Sequence, residues 1–246
     1  MPALESWPIA APAGQPGSAV WHVDLATARA DDPTGLSPDE RARAARFVRR
    51  EDRERFIGSH LALRHILAGY LGRHPDELRF GSEPGGKPRL AHPDPEGLRF
   101  NLSHSGRHAL VGVASTATIG VDVEAVRPIG DALTIARAHF HPAETAELAS
   151  LPDPDLTSAF FACWTRKEAV VKALGLGLAQ PLDRFRVTLP PAAAAVLRWE
   201  DETAARLDWS MHHLDLGPDA VGAVAITRAG EPCARYRLPP GWAASR

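Results

Sequence analysis

The stretch Ile119–Glu124, IGVDVE, constrains the fold of this chain more than any other. Its alternation is that of a strand, so Ile119, Val121 and Val123 share one face while Gly120, Asp122 and Glu124 share the other. Two neighbouring carboxylates repel, and acids are rarely buried unless something compensates them. Either this is an edge strand with one solvated face, or a second layer of the protein meets Asp122 and Glu124 with a cation. The choice depends on what else the chain can place there.

The helical pattern AFFACWTRKEAVVKALG, Ala159–Gly175, is the candidate second layer. At 100° per residue Phe160, Phe161, Cys163, Trp164, Val170, Val171 and Leu174 form one apolar arc, with Ala162, Ala169 and Ala173 opposite. Lys167 falls inside the arc, Glu168 at its edge beside Trp164, and Lys172 one turn after Glu168. A solvated ion-pair face would carry these charges on the alanine side. Snorkelling accommodates Lys167, but a short, acidic Glu168 turned inward needs a cation or a proton. Asp122, Glu124 and Glu168 together make a hard-oxygen set with no His or Cys thiolate to favour zinc. Such a set suits magnesium, whose remaining ligands are commonly substrate phosphates.

Of 28 basic residues only Lys87, Lys167 and Lys172 are lysines. Where a chain so biased to arginine keeps a lysine, a compact point charge rather than a planar fork is needed. The formal net charge of −2 excludes a generally basic nucleic-acid binder, but eight arginines face three acids between Arg41 and Arg64. That helical patch either meets an anion or is a solvated face laced by pairs such as Glu51 and Arg55. The two cysteines, Cys163 and Cys233, make neither a disulfide framework nor a CxxC knuckle, which fits a reducing cytoplasm. No apolar run reaches the length of a membrane span. Residues 1–18 lack a basic n-region and are broken by prolines, so a mobile tail is expected rather than a signal peptide.

VWHVDL, from Val20, reads as a first strand, and LSPDERARAARF as a helix capped by Ser37 with Pro38 at its first position. A second helix runs from about Glu51 to Leu71, ending at Gly72. LRFGSEPGGKPRL is strand, turn and short strand; LRFNLSHSGRHALVGVAS is a hairpin turning at Ser-His-Ser-Gly, and TIGVDVE is expected to pair with it. Helices at DALTIARAHF, HPAETAEL and DLTSAFFACWTRKEAVVKALG follow, then strands at RFRVTL, RLDWSMHHL and AVGAVAIT. Each half offers a long helix and a meander. The class is α+β, with an N-terminal half at 19–116 and a C-terminal half at 117–246. The likeness of ARFVRRED to AHFHPAET, each before a long helix, points to an internal duplication.

Two turns carry further polar groups. Gly81, Gly86 and Lys87 match G-x-x-x-x-G-K, but Pro88 follows and no amphipathic helix does, so this is no P-loop. It is a turn with a lysine at its tip, either exposed or on a phosphate. Ser103 and His104 adjoin in sequence without a G-x-S-x-G elbow, which argues against a hydrolase. With Asn101 they are candidates for an anion or nucleotide contact.

Taken in order, GGKP, NLSHS, IGVDVE and WTRKEAVVKALGLGL resemble the larger, Sfp-type class of 4'-phosphopantetheinyl transferases, over roughly Arg41–Leu189. The resemblance implies two pseudo-symmetric α+β halves with coenzyme A between them. It also implies transfer of the phosphopantetheine arm to a serine of acyl, peptidyl or aryl carrier proteins. Asp122, Glu124 and Glu168 would then hold magnesium, with Glu168 and Lys172 in the chemistry. Lys87, Ser103, His104, Gly86 and Asn101 would contact the nucleotide and its phosphates; Arg43, and less directly Arg55, would reach the 3'-phosphate. A cytoplasmic monomer with neither nucleic-acid nor membrane partners is expected. Two rivals remain at this point. One is a non-catalytic module binding coenzyme A or carrier protein, and the other a different magnesium-dependent phosphoryl-transfer enzyme.

Overall fold

In the computed structural model, which describes residues 3–14, 17–28, 32–91, 97–175, 181–200 and 207–242, the first strand is β1 (Ser18–Asp24). Helix α1 (Pro38–Ala44) starts at the expected cap. Glu40 N donates to Ser37 Oγ, the Glu40 carboxylate accepts from Ser37 N, and Pro38 occupies the first turn. Helix α2 (Arg50–Leu71) ends on Gly72 at φ 60°, a left-handed conformation that suits glycine. Then come β2 (Phe80–Ser82), β3 (Pro88–Leu90), β4 (Arg99–Ser105), β5 (His108–Ala114) and β6 (Ile119–Ala125). The second half supplies α3 (Ala132–His139), α4 (Pro142–Ala149) and α5 (Asp153–Leu174). After them run β7 (Phe185–Val187), β8 (Val196–Trp199), β9 (Ser210–Asp215), β10 (Ala220–Ile226) and β11 (Ala234–Arg237).

Two sheets carry the fold, ordered β11-β1-β5-β4 and β6-β10-β9. Each meets one long helix. Phe56, Ile57, Ile66 and Leu67 of α2 share a core with Trp21, Val23, Val111 and Val113. Phe160, Cys163 and Val170 of α5 share another with Ala223 and Ala225. Val20, Leu110, Val121, Val123, Leu214 and Val224 fill a third layer between the sheets. The α+β class follows directly: each helix hides one sheet face, and the opposite faces hide each other.

Three details depart from the sequence expectations. First, β6 does not join the β4–β5 hairpin by a backbone ladder; it pairs antiparallel with β10, Asp122 opposite Ala223. Its outer edge is instead closed by side chains of β4. Val121 N donates to Asn101 Oδ1, Val123 N to Ser103 Oγ and Ala125 N to Ser105 Oγ. Polar residues spaced by two along one strand thus satisfy amides spaced by two along the next, as an edge strand requires. Second, β11 returns to lie parallel to β1, Trp21 opposite Tyr236, so the last strand of the chain sits in the N-terminal sheet. Third, described residues of the expected N-terminal tail are packed. Trp7 is buried, Arg237 Nε donates to its carbonyl, and Ile9 bridges to Arg237. An aromatic anchor outweighs the prolines around it.

A buried imidazole pair fixes an acid limit to this fold. His22 Nε2 and His108 Nδ1 lie 2.9 Å apart, both rings buried. Burial, and then the neighbouring His108, lower His22 from 6.5 to about 4. Between those values the unfolded chain binds the proton and the folded one does not, so stability rises with pH across that window. Full stability is expected above about pH 6.5, with a loss of about 3 kcal/mol from this group by pH 4. Urea midpoints measured from pH 7 to 4 check this. His22→Gln should flatten the curve, and an unchanged slope would show that His22 does not titrate with folding.

Candidate active site

β6 and α5 position the acids. Gly120 lets α5 rest on the strand: a Cβ there would overlap the Ala169 carbonyl oxygen and the Ala173 nitrogen. The alanine side of α5, which the helical pattern sets opposite the apolar arc, is therefore buried too, with Ala162, Ala169 and Ala173 all enclosed. Small residues on both elements bring the backbones together, and Glu168 and Lys172 come to the same place as Asp122 and Glu124. Burial and then the Asp122 charge raise the carboxyl pKa of both Glu124 and Glu168 above the usual range. The three acids feel each other.

Hydroxyl groups of β4 hold two of them. Ser103 Oγ donates to Asp122 Oδ1 at 2.8 Å, and Ser105 Oγ to Glu124 Oε2 at 2.9 Å. Lys172 Nζ lies 2.5 Å from Asp122 Oδ1 and 3.0 Å from Ser103 Oγ. The remaining Asp122 oxygen, Oδ2, is buried with no hydrogen-bond partner among the described residues. Ser105 escaped the sequence reading, although its spacing of two from Ser103, matching Asp122 and Glu124, could have exposed it. Ser103 and His104 are not in the hairpin turn. β4 runs on to Ser105, and the turn is Gly106–Arg107, with Gly106 at φ 57°.

The other two lysines are turned inward. Lys87 is not at the tip of its turn; Nζ donates to Ile119 O at 3.1 Å and Ala173 O at 2.9 Å, and burial lowers its pKa to about 8. It ties the β2–β3 turn to the start of β6 and the end of α5, whose last carbonyls lack helical partners. Lys167 is fully buried and does not snorkel. It pairs with Glu144 at 2.9 Å and donates to the carbonyls of Leu182 and Phe185. Glu144 also caps α4 through His141 N and accepts from Val187 N. This pair organises the C-terminal half and takes no place among the acids.

A cavity of about 890 Å³ opens between α1, α2, the β2–β3 hairpin and β4; Asn101 and His104 of β4 line it, whereas Ser103, Asp122, Glu124, Glu168 and Lys172 do not. Arg41, Arg43, Arg64, Arg79, His60, Asn101 and His104, together with the acids Asp39, Glu40 and Asp76, belong to its polar wall, and Phe47, Phe56, Phe80 and Phe100 to its apolar one. The Arg43 guanidinium rests 5.2 Å from the centre of the Phe56 ring. Desolvation, then Lys172, Arg55 and Arg43, lower the pKa of His104. Arg41, His60 and Arg79 join the candidates, Arg79 being remote in sequence from the basic segment. Arg55 is held by Asp52 and Glu51 on α2 and is not on the cavity wall. Neither Gly86 nor Lys87 lines it. Arg64, the far end of the basic segment, is buried against Glu40 and the carbonyls of Pro75 and Leu78. Asn101 lines the cavity but spends its carbonyl on Val121.

Among the described residues no group of three His, Cys, Asp or Glu side chains is arranged to hold a metal ion, and no helix is long and apolar enough to cross a membrane. Two family models match the chain. One is described as 4'-phosphopantetheinyl transferase superfamily, over residues 118–227, and the other as 4'-phosphopantetheinyl transferase, N-terminal, over residues 32–117. The chain is 44% identical over 198 residues to the 4'-phosphopantetheinyl transferase HetI of Nostoc sp. (strain PCC 7120), covering 79% of this chain and 80% of HetI. It is 33% identical over 154 residues to the 4'-phosphopantetheinyl transferase Sfp of Bacillus subtilis (strain 168), covering 63% of this chain and 66% of Sfp. A third relative, the 4'-phosphopantetheinyl transferase psf-1 of Bacillus pumilus, is 34% identical over 169 residues, 69% of this chain and 70% of its own length.

Proposed function

The chain belongs to the 4'-phosphopantetheinyl transferase superfamily, and on that premise we propose that it transfers the phosphopantetheine arm of coenzyme A to a serine of an apo carrier protein. Adenosine 3',5'-bisphosphate leaves. The observation that carries this reading is the cluster of Asp122, Lys172 and Ser103, with Glu124 and Glu168 beside it, next along β4 to Asn101 and His104, which line a cavity that Arg41, Arg43 and Arg79 also line.

The residues fit a magnesium ion in kind. All three acids offer hard oxygens, and Asp122 keeps one buried oxygen without a partner. Asp122, Glu124 and Glu168 would hold the ion, which would neutralise charge on the pyrophosphate. Arg43, joined by Arg41 and Arg79, supplies guanidinium forks suited to phosphate oxygens at the cavity wall. His104 adds a donor there, and Ser103 keeps Asp122 in place. Lys172, held on Asp122 and Ser103, would meet the charge that builds on the reacting phosphate. The carrier serine oxygen forms the new bond to phosphorus, and the bond to the bridging pyrophosphate oxygen breaks. The serine proton passes to Glu168, directly or through one water. Lys87 supports the site from behind, holding β6 and α5 together. Acyl, peptidyl and aryl carrier proteins are the partners proposed, with the chain acting as a cytoplasmic monomer.

Intact mass of an apo carrier protein after incubation with coenzyme A, magnesium and this protein tests the reading. A gain of one phosphopantetheine is expected, lost with EDTA and in Glu168→Ala. No gain with several unrelated carriers, despite measurable coenzyme A binding, would leave a non-catalytic binding module in its place.

A further inference from the structure

Three carboxylates crowded at one point need positive charge. In the free protein the Lys172 ammonium provides it at Asp122, and both Lys172 and Arg127 act on Glu124. Lys172 Nζ sits against Asp122 Oδ1 at 2.5 Å, with 29% of the lysine side chain exposed but only 4% of the aspartate. The same Nζ bonds Ser103 Oγ, so among the described residues its hydrogen-bond partners are both side chains. By contrast Lys87 and Lys167 are each fixed by two backbone carbonyls. Among the described residues the acids are not set as a finished metal cage, and Asp122 Oδ2 is buried without a hydrogen-bond partner.

The geometry points to a second role for Lys172, resting on the acid-site reading above. Lys172 is an internal counter-cation that occupies Asp122 in the free protein and yields that carboxylate when a divalent cation is bound. Lysine and metal compete for one oxygen. The displaced ammonium lies one helix turn from Glu168 and becomes available to substrate phosphates, so metal loading readies the lysine for its work. A lysine suits this exchange because its charge is compact and its stem flexible; an arginine would clamp the carboxylate with two donors and resist release. The same need accounts for a lysine at this position in a chain that otherwise prefers arginine.

The scarcity of lysine makes the test clean. Acetylation of the full chain, followed by peptide mass spectrometry, has only Lys87, Lys167 and Lys172 to report among side chains. Saturating Mg²⁺ without coenzyme A is expected to raise the rate at Lys172 about threefold or more, leaving the two buried lysines unchanged. Asp122→Asn should show the raised rate without metal. In parallel, Mn²⁺ binding followed by electron paramagnetic resonance is expected to be about tenfold tighter in Lys172→Met than in the natural sequence. A Lys172 rate unchanged or lowered by saturating metal overturns the competition, as does an unchanged or weaker Mn²⁺ affinity in Lys172→Met. Absence of Mn²⁺ binding by the natural protein even with coenzyme A present overturns the acid-site reading itself, and this inference with it.

Discussion

Gly120→Ala is expected to lower the unfolding free energy by about 3 kcal/mol or more and the thermal midpoint by roughly 10 °C. The added Cβ would meet backbone atoms of α5 at Ala169 and Ala173, including Ala173 Cα at 2.9 Å. No rotamer change relieves a clash with backbone, so the helix must lift or the strand must bend. Either movement parts Glu168 and Lys172 on α5 from Asp122 on β6, and the surviving folded fraction should lose activity as well. Gly130→Ala is the control, since open space surrounds that position; it should stay within about 0.5 kcal/mol. Urea unfolding of the three proteins decides the matter. A Gly120→Ala midpoint equal to the control would mean that α5 does not rest on β6 there.

Glu168→Gln should separate activity from stability. A fall in kcat of about 10³-fold is expected, from loss of the proton acceptor and of one carboxylate. The thermal midpoint should hold or rise. Burial, then Asp122 and at longer reach Glu124, raise the pKa of Glu168 above its unfolded value of 4.5. The folded protein therefore holds its proton more tightly than the unfolded chain, and ionisation costs stability as pH rises through the folded pKa. Glutamine removes that cost, so its advantage should be absent below about pH 4.5 and grow above it. Carrier-modification rates beside melting curves from pH 4 to 8 measure both effects. A kcat within tenfold of the natural protein would remove Glu168 from the chemistry, and a lowered midpoint at neutral pH would make it a structural acid.

The sequence carried the helices and the acids because local signals coincide with the tertiary answer. Ser37, Gly72 and Gly175 mark helix ends through chemistry that acts within a few residues. The alternation of IGVDVE placed both acids on one face, and charges inside the apolar arc of α5 revealed a helix turned inward at Glu168. Pairing between distant strands was not legible in this way. Nothing local in β6 tells whether its ladder partner is β5 or β10, and β11 is too short and polar to announce a return to β1. The lysines show the same limit. Lys87 and Lys167 stand out in the sequence by their rarity, but their partners are carbonyls and Glu144, remote in sequence and invisible to a pattern. Rarity marks that a residue is needed without saying for what. Arg79 reaches the cavity wall only because the β2–β3 hairpin folds beside α2.

The side-chain closure between β4 and β6 has a consequence for how the two halves communicate. A backbone ladder holds whatever side chains it carries, and it says nothing about what those side chains grip. Here Ser103 and Ser105 each touch a β6 amide with one lone pair and an acid with the hydroxyl proton. Beside the apolar layer, Asn101 and Lys87, two hydroxyl groups thus both join the halves and aim the acids. Any pull on Asp122 or Glu124 is therefore felt at the joint, and any parting of the joint turns the acids loose.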